Sequence, residues 1–266
     1  MSLAALELKK VSKTFAVRGG GAKPVLDGVS FQVKEGEFVS LIGPSGSGKS
    51  TLFHMIGGLE RPTSGEIFVS GRRIDGDRGH IAYMPQQASL MPWLTVAGNI
   101  ELSLGIAGVG RKEAGSLARD WLARIGLGEA AQAYPHTLSG GMQQRVSFLR
   151  ALLSPQPLMC LDEPFGALDA LTRMHMQQWL LSLWEEDRRS VLLITHSIEE
   201  AITMSDRIVV LSSPPASVIR EIIVPFPRPR GEAIWSNPAF NVLKRDIYEL
   251  LSPANAAGGG MGGGKL

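Results

Sequence analysis

The segment that most constrains this chain is "GPSGSGKS", residues 43–50, which matches the pattern Gly-x-x-x-x-Gly-Lys-Ser. An apolar run, "EFVSLIG", precedes it, and a helical pattern, "GKSTLFHMIGGL", follows and ends at Gly57 and Gly58. Glycines let backbone N–H groups curl around phosphate oxygens, and this function requires a strand, a loop and a helix in that order. The sequence therefore predicts a phosphate-binding loop.

The residues of this loop have distinct expected roles towards a nucleotide. Lys49 can reach the β- and γ-phosphates with its ammonium group, and the Ser50 hydroxyl can bind Mg²⁺. The nucleotide-binding residues predicted from this segment are Gly43, Pro44, Ser45, Gly46, Ser47, Gly48, Lys49, Ser50 and Thr51. A glycine-rich turn of no function is the alternative, which the flanking strand and helix patterns disfavour.

The rest of the chain favours an α/β fold. Two apolar runs, "LMCLDEP" and "SVLLITH", are separated by a helical segment at 170–188. Strands that alternate with helices indicate βαβ units and a mostly parallel sheet. Shorter runs before the loop, "LELKKVSKTF" at 6–15 and "VSFQV" at 29–33, predict additional strands.

Polar residues follow both apolar runs. Asp162 and Glu163 end the first run, and His196 ends the second. Ligands gather at the carboxyl ends of parallel strands, so we predict that Asp162 binds Mg²⁺ or its water and that Glu163 accepts a proton from attacking water. His196 could contact a γ-phosphate, and Ser197 and Glu200 predict a capping box for the next helix. Two solvated carboxylates and a structural histidine are the alternatives.

A second candidate for anion binding is "LSGGMQQR", residues 138–145. Ser139, Gly140 and Gly141 precede a helical run that ends before Pro155. A helix N-terminus directs backbone N–H groups and the positive end of the helix dipole towards an anion. The chain thus carries two phosphate-binding patterns, and an ordinary helix cap is the alternative interpretation of the second one.

These motifs, with Gln86 in "YMPQQ" and "FGALD" at 165–169, resemble those of the nucleotide-binding subunits of ABC transporters in order and spacing. The resemblance extends over roughly residues 6 to 215. It implies an α/β fold with a P-loop NTPase (RecA-like) core, an antiparallel β subdomain and an α-helical subdomain. It also implies head-to-tail pairing of two subunits, in which Ser139, Gly140 and Gly141 of one bind the γ-phosphate of the ATP held by the other.

The resemblance implies roles for further residues. Gln86 would sense Mg²⁺ and the γ-phosphate and link them to membrane subunits, and Asp169 would contact the partner ATPase subunit. Phe15 would stack on adenine through its aromatic face, with a strand core residue as the alternative. The implied catalytic residues are Glu163, His196, Lys49 and Gln86. The implied Mg²⁺ ligands are Ser50, Gln86 and Asp162.

We expect a single ABC ATPase domain over residues 1–257, with a helical subdomain at about 87–150 and a C-terminal segment at about 215–257. The glycine-rich tail, 258–266, is predicted to be disordered. The first residues show no secretory-signal pattern, and no apolar run reaches the about 18 residues that a membrane span needs. These features lead us to expect a peripheral protein on the cytoplasmic side of the cell membrane.

Two segments resemble one transporter group within the family. The "PWLT" run at Pro92–Thr95 and the later "PFPRPR" resemble subunits of nitrate, sulfonate and taurine importers. Such an importer implies a second ATPase subunit, transmembrane permease subunits and, indirectly, an extracytoplasmic solute-binding protein, with ATP and Mg²⁺ as cofactors. Trp93 suits a protein contact if it is exposed, and a core aromatic is the alternative.

Composition bears on the remaining alternatives. The formal net charge of +2 over 266 residues gives no strong attraction to nucleic acid, and no such partner is expected. An ABC ATPase that acts on DNA or ribosomes is also disfavoured. The sequence has no sustained heptads, no zinc-ligand spacing and no second copy of the Gly-x-x-x-x-Gly-Lys-Ser pattern. An export or lipid-transport system stays open. The single cysteine, Cys160, is interpreted as a small buried residue.

Overall fold

The computed structural model describes residues 4–17, 19–74 and 76–252. They divide into two compact units: one contains the residues up to Arg78 and those from Ser190 onward, and the other contains Gly79–Arg189. The predicted tail at 258–266 lies outside the described residues, and the predicted domain boundaries stay predictions. Over the described ranges, no helix is both long enough and apolar enough to cross a membrane.

In chain order, the helices and strands are β1 (Ala4–Val17), β2 (Gly21–Lys34), β3 (Phe38–Ile42), α1 (Lys49–Ile56), β4 (Ser64–Val69), β5 (Arg72–Arg73), β6 (Ala82–Met84), α2 (Val96–Ile106), α3 (Arg111–Arg124), α4 (Gly140–Leu152), β7 (Leu158–Asp162), α5 (Ala170–Glu186), β8 (Ser190–Ile194), α6 (Ile198–Met204), β9 (Arg207–Leu211), β10 (Val218–Ile223) and α7 (Pro238–Leu251). From α4 to β9 the helices and strands alternate, as the two apolar runs predicted. Short 3-10 helices lie at Gly128–Ala130, Pro135–Thr137 and Glu232–Ser236.

The first unit contains two kinds of strand pairing. An antiparallel sheet has the order β2-β1-β4-β5, and a second set of strands has the order β10-β9-β3-β8. Strands β8 and β9 both run parallel to β3, whereas β10 is antiparallel to β9. Strands β3 and β8 are buried at every position, which explains their continuous apolar sequences.

The antiparallel hairpin is longer than the sequence predicted. The strand predicted at 29–33 is part of a longer one, because β2 begins at Gly21 and pairs along the whole of β1. Pro24 lies in the outer strand of this sheet, and proline within sheets is confined largely to such strands.

The second unit combines a short parallel strand pair with helices that share one apolar core. Strand β6 pairs in parallel with β7. Helices α2, α3 and α4 begin near the residues that the sequence indicated, and Thr95 caps α2 by accepting a hydrogen bond from Gly98 N at 3.0 Å. Their inward faces bury Ile100, Leu104, Ala118, Leu122, Val146 and Leu149. The helical spacing of these apolar residues, at three and four positions, is what produces this face.

The "PFPRPR" segment binds the end of α6. Arg230 is buried, and its guanidinium donates to the carbonyl oxygens of Phe226, Ile202 and Ser205. Arg228 donates to Met204 O in the same way. The last carbonyls of a helix have no partner within the helix, so the two arginines satisfy them. Burial, together with the nearby charge of Arg228, lowers the pKa of Arg230 to about 10, so the guanidinium stays charged at neutral pH.

Replacing Arg230 should destabilise the fold strongly. Arg230→Ala leaves buried carbonyl oxygens without donors, and we expect it to lower the free energy of unfolding by about 2–4 kcal/mol. Urea-induced unfolding measures this change. The control is Arg245→Ala on α7, whose side chain is mostly exposed. Equal stabilities of the two variants would contradict the capping role of Arg230.

Candidate active site

The loop at 43–50 joins β3 to α1 in the predicted order. Gly46 and Gly48 have φ angles of +77° and +84°, in the left-handed region that side chains disfavour. A Cβ atom at Gly48 would lie 2.7 Å from Val25 Cγ1, and one at Gly43 would lie 2.9 Å from Ser47 Oγ. The loop therefore needs these glycines for its backbone angles and for space.

Lys49 places a positive charge inside this loop. It is the first residue of α1, it is only 6% exposed, and its ammonium donates to Gly43 O and Pro44 O at 2.9 Å each. A third contact, to Ser47 Oγ, has a length of 3.3 Å. The positive end of the α1 dipole lies at the same place. The charge and the helix N-terminus together suit a polyphosphate, and Ser50 follows in the first turn of α1.

His196 lies at the same end of the strands as the loop. The register of β3 and β8 pairs Leu41 with Ile194, so Gly43 and His196 each follow their strand by a similar distance. The His196 side chain is exposed. This is the position that a contact with a phosphate bound at the loop would require.

The capping box predicted after His196 forms only in part. Ser197 Oγ accepts a hydrogen bond from Glu200 N at 3.2 Å and so caps α6. The other half of the predicted capping box, a hydrogen bond from Ser197 N to the Glu200 carboxylate, is replaced: Ser197 N donates to Thr195 Oγ1 at 3.0 Å. The nearer hydroxyl competes for this donor.

Phe15 lies on β1 and is 36% exposed, so it is not a buried core residue. The ammonium nitrogen of Lys13 lies 4.8 Å from the centre of its ring. An exposed aromatic face in the unit that holds the phosphate loop fits the predicted stacking on a nucleotide base, which stays a prediction.

In the second unit, Gln86 and Glu163 are in direct contact. Gln86 Nε2 donates to Glu163 Oε2 at 3.1 Å. Glu163 follows Asp162, the buried last residue of β7, and has a φ angle of +50°. Such backbone angles are uncommon outside glycine and concentrate at functional positions. The structure therefore brings together two of the four predicted catalytic residues within this unit.

Gln144 is a residue that the sequence analysis missed. It lies in α4, it is 4% exposed, and its amide Nε2 lies 3.3 Å from Glu163 O and 3.5 Å from Gln86 O. One buried side chain thus joins the backbones of the two contacting residues. Helical spacing could have identified it, because Gln144, Ser147, Phe148 and Ala151 share the buried face of α4, and a buried amide needs partners.

The segment "LSGGMQQR" forms a capped helix N-terminus. Ser139 Oγ accepts a hydrogen bond from Met142 N at 3.3 Å, and Ser139 and Gly140 are exposed. Gly141 lies close to the "FGALD" segment at 165–169, since a Cβ atom at Gly141 would lie 3.2 Å from Leu168 Cδ2. The ordinary capping interpretation therefore holds, and an additional phosphate contact from these exposed residues stays a prediction.

The "FGALD" segment ends in a second helix cap. Asp169 Oδ1 accepts a hydrogen bond from Thr172 N at 3.0 Å, at the start of α5. The hydrogen bonds from Thr172 lower the pKa of the Asp169 carboxyl group, so it is charged at neutral pH. Its predicted contact with a partner subunit stays a prediction.

Two further predictions concern Cys160 and Trp93. Cys160 is buried in β7, and burial and the nearby Asp162 raise the pKa of its thiol, so the interpretation as a small buried residue is confirmed. Trp93 is 70% exposed, so the core-aromatic alternative is wrong. Tyr83, which pairs with Cys160 between β6 and β7, also has a raised pKa because of burial and Asp162.

Comparison with known proteins agrees with this geometry. A family model described as "ABC transporter" matches residues 26–166. The chain is 46% identical over 232 residues to the formylaminopyrimidine import ATP-binding protein ThiZ of Halalkalibacterium halodurans, spanning 86% of this chain and 91% of that protein. It is 40% identical over 249 residues to the bicarbonate transport ATP-binding protein CmpC of Synechococcus elongatus, spanning 92% of this chain and 38% of that protein.

Among solved structures, the fold is similar to that of the ATP-binding cassette MJ0796, determined as a dimer in a post-hydrolysis state with bound ADP and phosphate. The TM-score is 0.76 at 36% sequence identity, and the match covers 83% of this chain and 99% of that chain.

Removing the Gln144 amide should affect turnover more than nucleotide affinity. Gln144→Leu loses the contacts to Glu163 O and Gln86 O, so we expect the ATP hydrolysis rate to fall about three- to tenfold. The KM for ATP should change little, because the phosphate-binding loop lies in a different segment, 43–50. Steady-state phosphate release measures both constants. The control is Gln178→Leu on α5, where the side chain is exposed. A raised KM with unchanged kcat would contradict this role.

Proposed function

This chain belongs to the ABC transporter family as an ATP-binding subunit with ATPase activity, and from that premise we propose that it drives the import of a small solute through partner permease subunits. Its fold is that of ABC ATPase cassettes, which confirms the predicted P-loop NTPase core with β and helical subdomains. The observation on which the proposed use of ATP depends most is the phosphate-binding loop with the Lys49 ammonium inside it.

The proposed cargo is a nitrate-, sulfonate- or taurine-like anion or a related small solute. The names of two relatives support import: ThiZ is a formylaminopyrimidine import ATP-binding protein, and CmpC is a bicarbonate transport ATP-binding protein.

The nucleotide is proposed to bind along the first unit. Phe15 stacks on the base, Lys49 contacts the phosphate chain, and the backbone of 43–51 surrounds it. Ser50, Gln86 and Asp162 would hold Mg²⁺, and their hydroxyl, amide and carboxylate oxygens are the hard donors that this ion prefers. When bound, Mg²⁺ neutralises charge on the phosphates.

Hydrolysis is proposed to use Glu163 as the general base. The carboxylate accepts a proton from a water molecule whose oxygen bonds to the γ-phosphorus, while the bond from that phosphorus to the bridging oxygen breaks and releases ADP. The Gln86 amide, 3.1 Å from Glu163 Oε2, orients this carboxylate. His196 donates a hydrogen bond to a γ-phosphate oxygen.

The complete site is proposed to form between two copies of the chain in head-to-tail arrangement. Ser139, Gly140 and Gly141 at the α4 N-terminus would bind the γ-phosphate held by Lys49 of the other copy, and Asp169 would contact that copy. Two positive features then face one anion, so closure depends on ATP. The dimeric state reported for MJ0796 supports this arrangement.

A docking face for the permease is proposed on α2 and its surroundings. Leu102 and Ile106 are 42% and 81% exposed and lie one helical turn apart. Ile106 also lines a cavity of about 190 Å³ together with Tyr83, Ser103 and Arg150. We name Leu102, Ile106 and this cavity the docking face. The exposed side chains of Leu102 and Ile106 suit an apolar helical segment of a permease loop, at the cytoplasmic surface of the membrane.

A hydrogen bond connects the docking face to the Gln86 segment. Arg150 Nη1 donates to Ser89 O at 2.8 Å, three residues after Gln86. Exposed Trp93 lies in the same segment. A permease segment on this face would therefore lie next to a side chain that is hydrogen-bonded to the Gln86 segment, which suits coupling between hydrolysis and transport.

Replacing the proposed base should separate binding from hydrolysis. Glu163→Gln keeps the size of the side chain but cannot accept the proton, so we expect hydrolysis to fall about 10²- to 10³-fold. ATP affinity should stay within about threefold, because the phosphate contacts are retained. Equilibrium binding and phosphate release measure the two effects. The control is the exposed Glu185→Gln. Normal turnover by Glu163→Gln would rule out this base.

A charge on the docking face should release the permease without stopping hydrolysis. The protein is used as bait on detergent-solubilised membranes of its own organism, with partners identified by mass spectrometry. We expect a multispanning permease with the wild type and with the control Tyr248→Asp on exposed α7, but not with Ile106→Asp. ATPase activity without the permease should be equal in all three. Ribosomal or DNA-repair partners with no membrane protein would contradict the transport function.

A further inference from the structure

We propose that Lys13 is a positioning residue for the nucleotide base: it fixes the Phe15 ring, covers one of its faces and leaves the other face for stacking. This inference rests on the proposed function, because it concerns the base of the bound ATP. It assigns a role to a lysine that lies outside the phosphate loop and the other motifs.

Three contacts hold the Lys13 ammonium in place. It lies 2.8 Å from Glu60 Oε2, 2.8 Å from Arg61 O and 4.8 Å from the centre of the Phe15 ring. The Lys13 side chain is 11% exposed, in contrast to most surface lysines. The hydrogen bond from Lys13 also lowers the pKa of the Glu60 carboxyl group, so this carboxylate is charged at neutral pH. Lys13 is thus a fixed cation rather than a mobile one.

The segment that carries Phe15 is attached to the segment that follows α1. Thr14 N donates to Thr63 Oγ1 at 3.0 Å, and Thr63 N donates to Ser12 O at 2.8 Å. Glu60 comes shortly after the end of α1, whose first residue is Lys49. The aromatic ring and the phosphate loop are therefore connected through one helix of eight residues, and the Lys13 contacts complete this connection.

The position of the ammonium decides how the ring can be used. A cation within about 6 Å of an aromatic face is attracted by the π electrons, so the Lys13 side chain occupies that face and excludes a base from it. The same charge draws π density towards itself, which reduces the repulsion between Phe15 and the π electrons of a base on the opposite face. The ring thus offers a single face at a defined angle.

Removing the Lys13 charge should therefore weaken binding of the base and leave binding of the phosphates unchanged. Stacking requires only a π face, so ATP and GTP should depend on Lys13 to a similar degree. Inorganic tripolyphosphate has no base and should not depend on it. The difference between nucleotide and tripolyphosphate separates base positioning from a general effect on the loop.

The experiment measures displacement of a fluorescent ATP analogue by ATP and by tripolyphosphate, each with Mg²⁺. Lys13→Met keeps much of the aliphatic chain and removes the charge. The matched control is Lys9→Met on the same strand, because Lys9 lies 4.5 Å from the ring centre of a different residue, Phe68, and pairs with Glu7. Lys13→Arg restores the cation.

We expect Lys13→Met to raise the Kd for ATP about three- to tenfold while tripolyphosphate stays within about twofold. Lys9→Met should behave as the wild type, and Lys13→Arg should recover most of the ATP affinity. In a Phe15→Leu background, Lys13→Met should have no further effect on the ratio of the two affinities. Lys13→Arg and this double-variant comparison keep the test valid if Lys13→Met folds poorly.

Two results would overturn the inference alone: unchanged ATP affinity in Lys13→Met, or an equal loss for ATP and tripolyphosphate. The second result would place the effect of Lys13 on the loop instead of the base. Failure of the wild type to bind ATP would overturn the inference together with the proposed function, so the two failures are distinguishable.

Discussion

The Lys49 ammonium lies among the carbonyl oxygens of the loop between β3 and α1, and the proposed nucleotide site of the first unit depends on this contact. The loop closes around the ammonium only because Gly46 and Gly48 adopt left-handed angles. It follows the carboxyl end of β3, a strand that is buried at every position. A sequence that meets these conditions has a positive cradle for a polyphosphate before any other motif is considered.

In the second unit, helix α4 connects the residues that are proposed to respond to a nucleotide. Its N-terminus is capped by Ser139, its buried Gln144 joins Glu163 to Gln86, and Arg150 near its end bonds to Ser89 beside the docking face. A displacement of this one helix would therefore be transmitted to the proposed base and to the proposed permease contact together. This is a physical route by which a phosphate bound at the helix N-terminus could control transport.

Local patterns predicted the parts of the site that local chemistry determines. The strand, loop and helix around Lys49 follow from glycine spacing, and the Ser139 cap follows from residue type at a helix start. The start of β2 at Gly21 was not predicted, because the apolar run at 29–33 marks only the later part of a strand whose length is set by its pairing with β1. The contacts of Gln144 and Lys13 were missed, because both side chains bond to groups distant in sequence.

Crosslinking between two copies tests the head-to-tail arrangement most directly. One copy carries Ser45→Cys and a size tag, the other carries Ser139→Cys, and both also carry Glu163→Gln so that ATP is retained. The native Cys160 is buried, so a short bismaleimide should react at the introduced thiols. Head-to-tail pairing predicts a mixed-size crosslinked dimer that requires ATP. Absence of this mixed-size dimer in the presence of ATP, or its formation to the same extent without ATP, would contradict it.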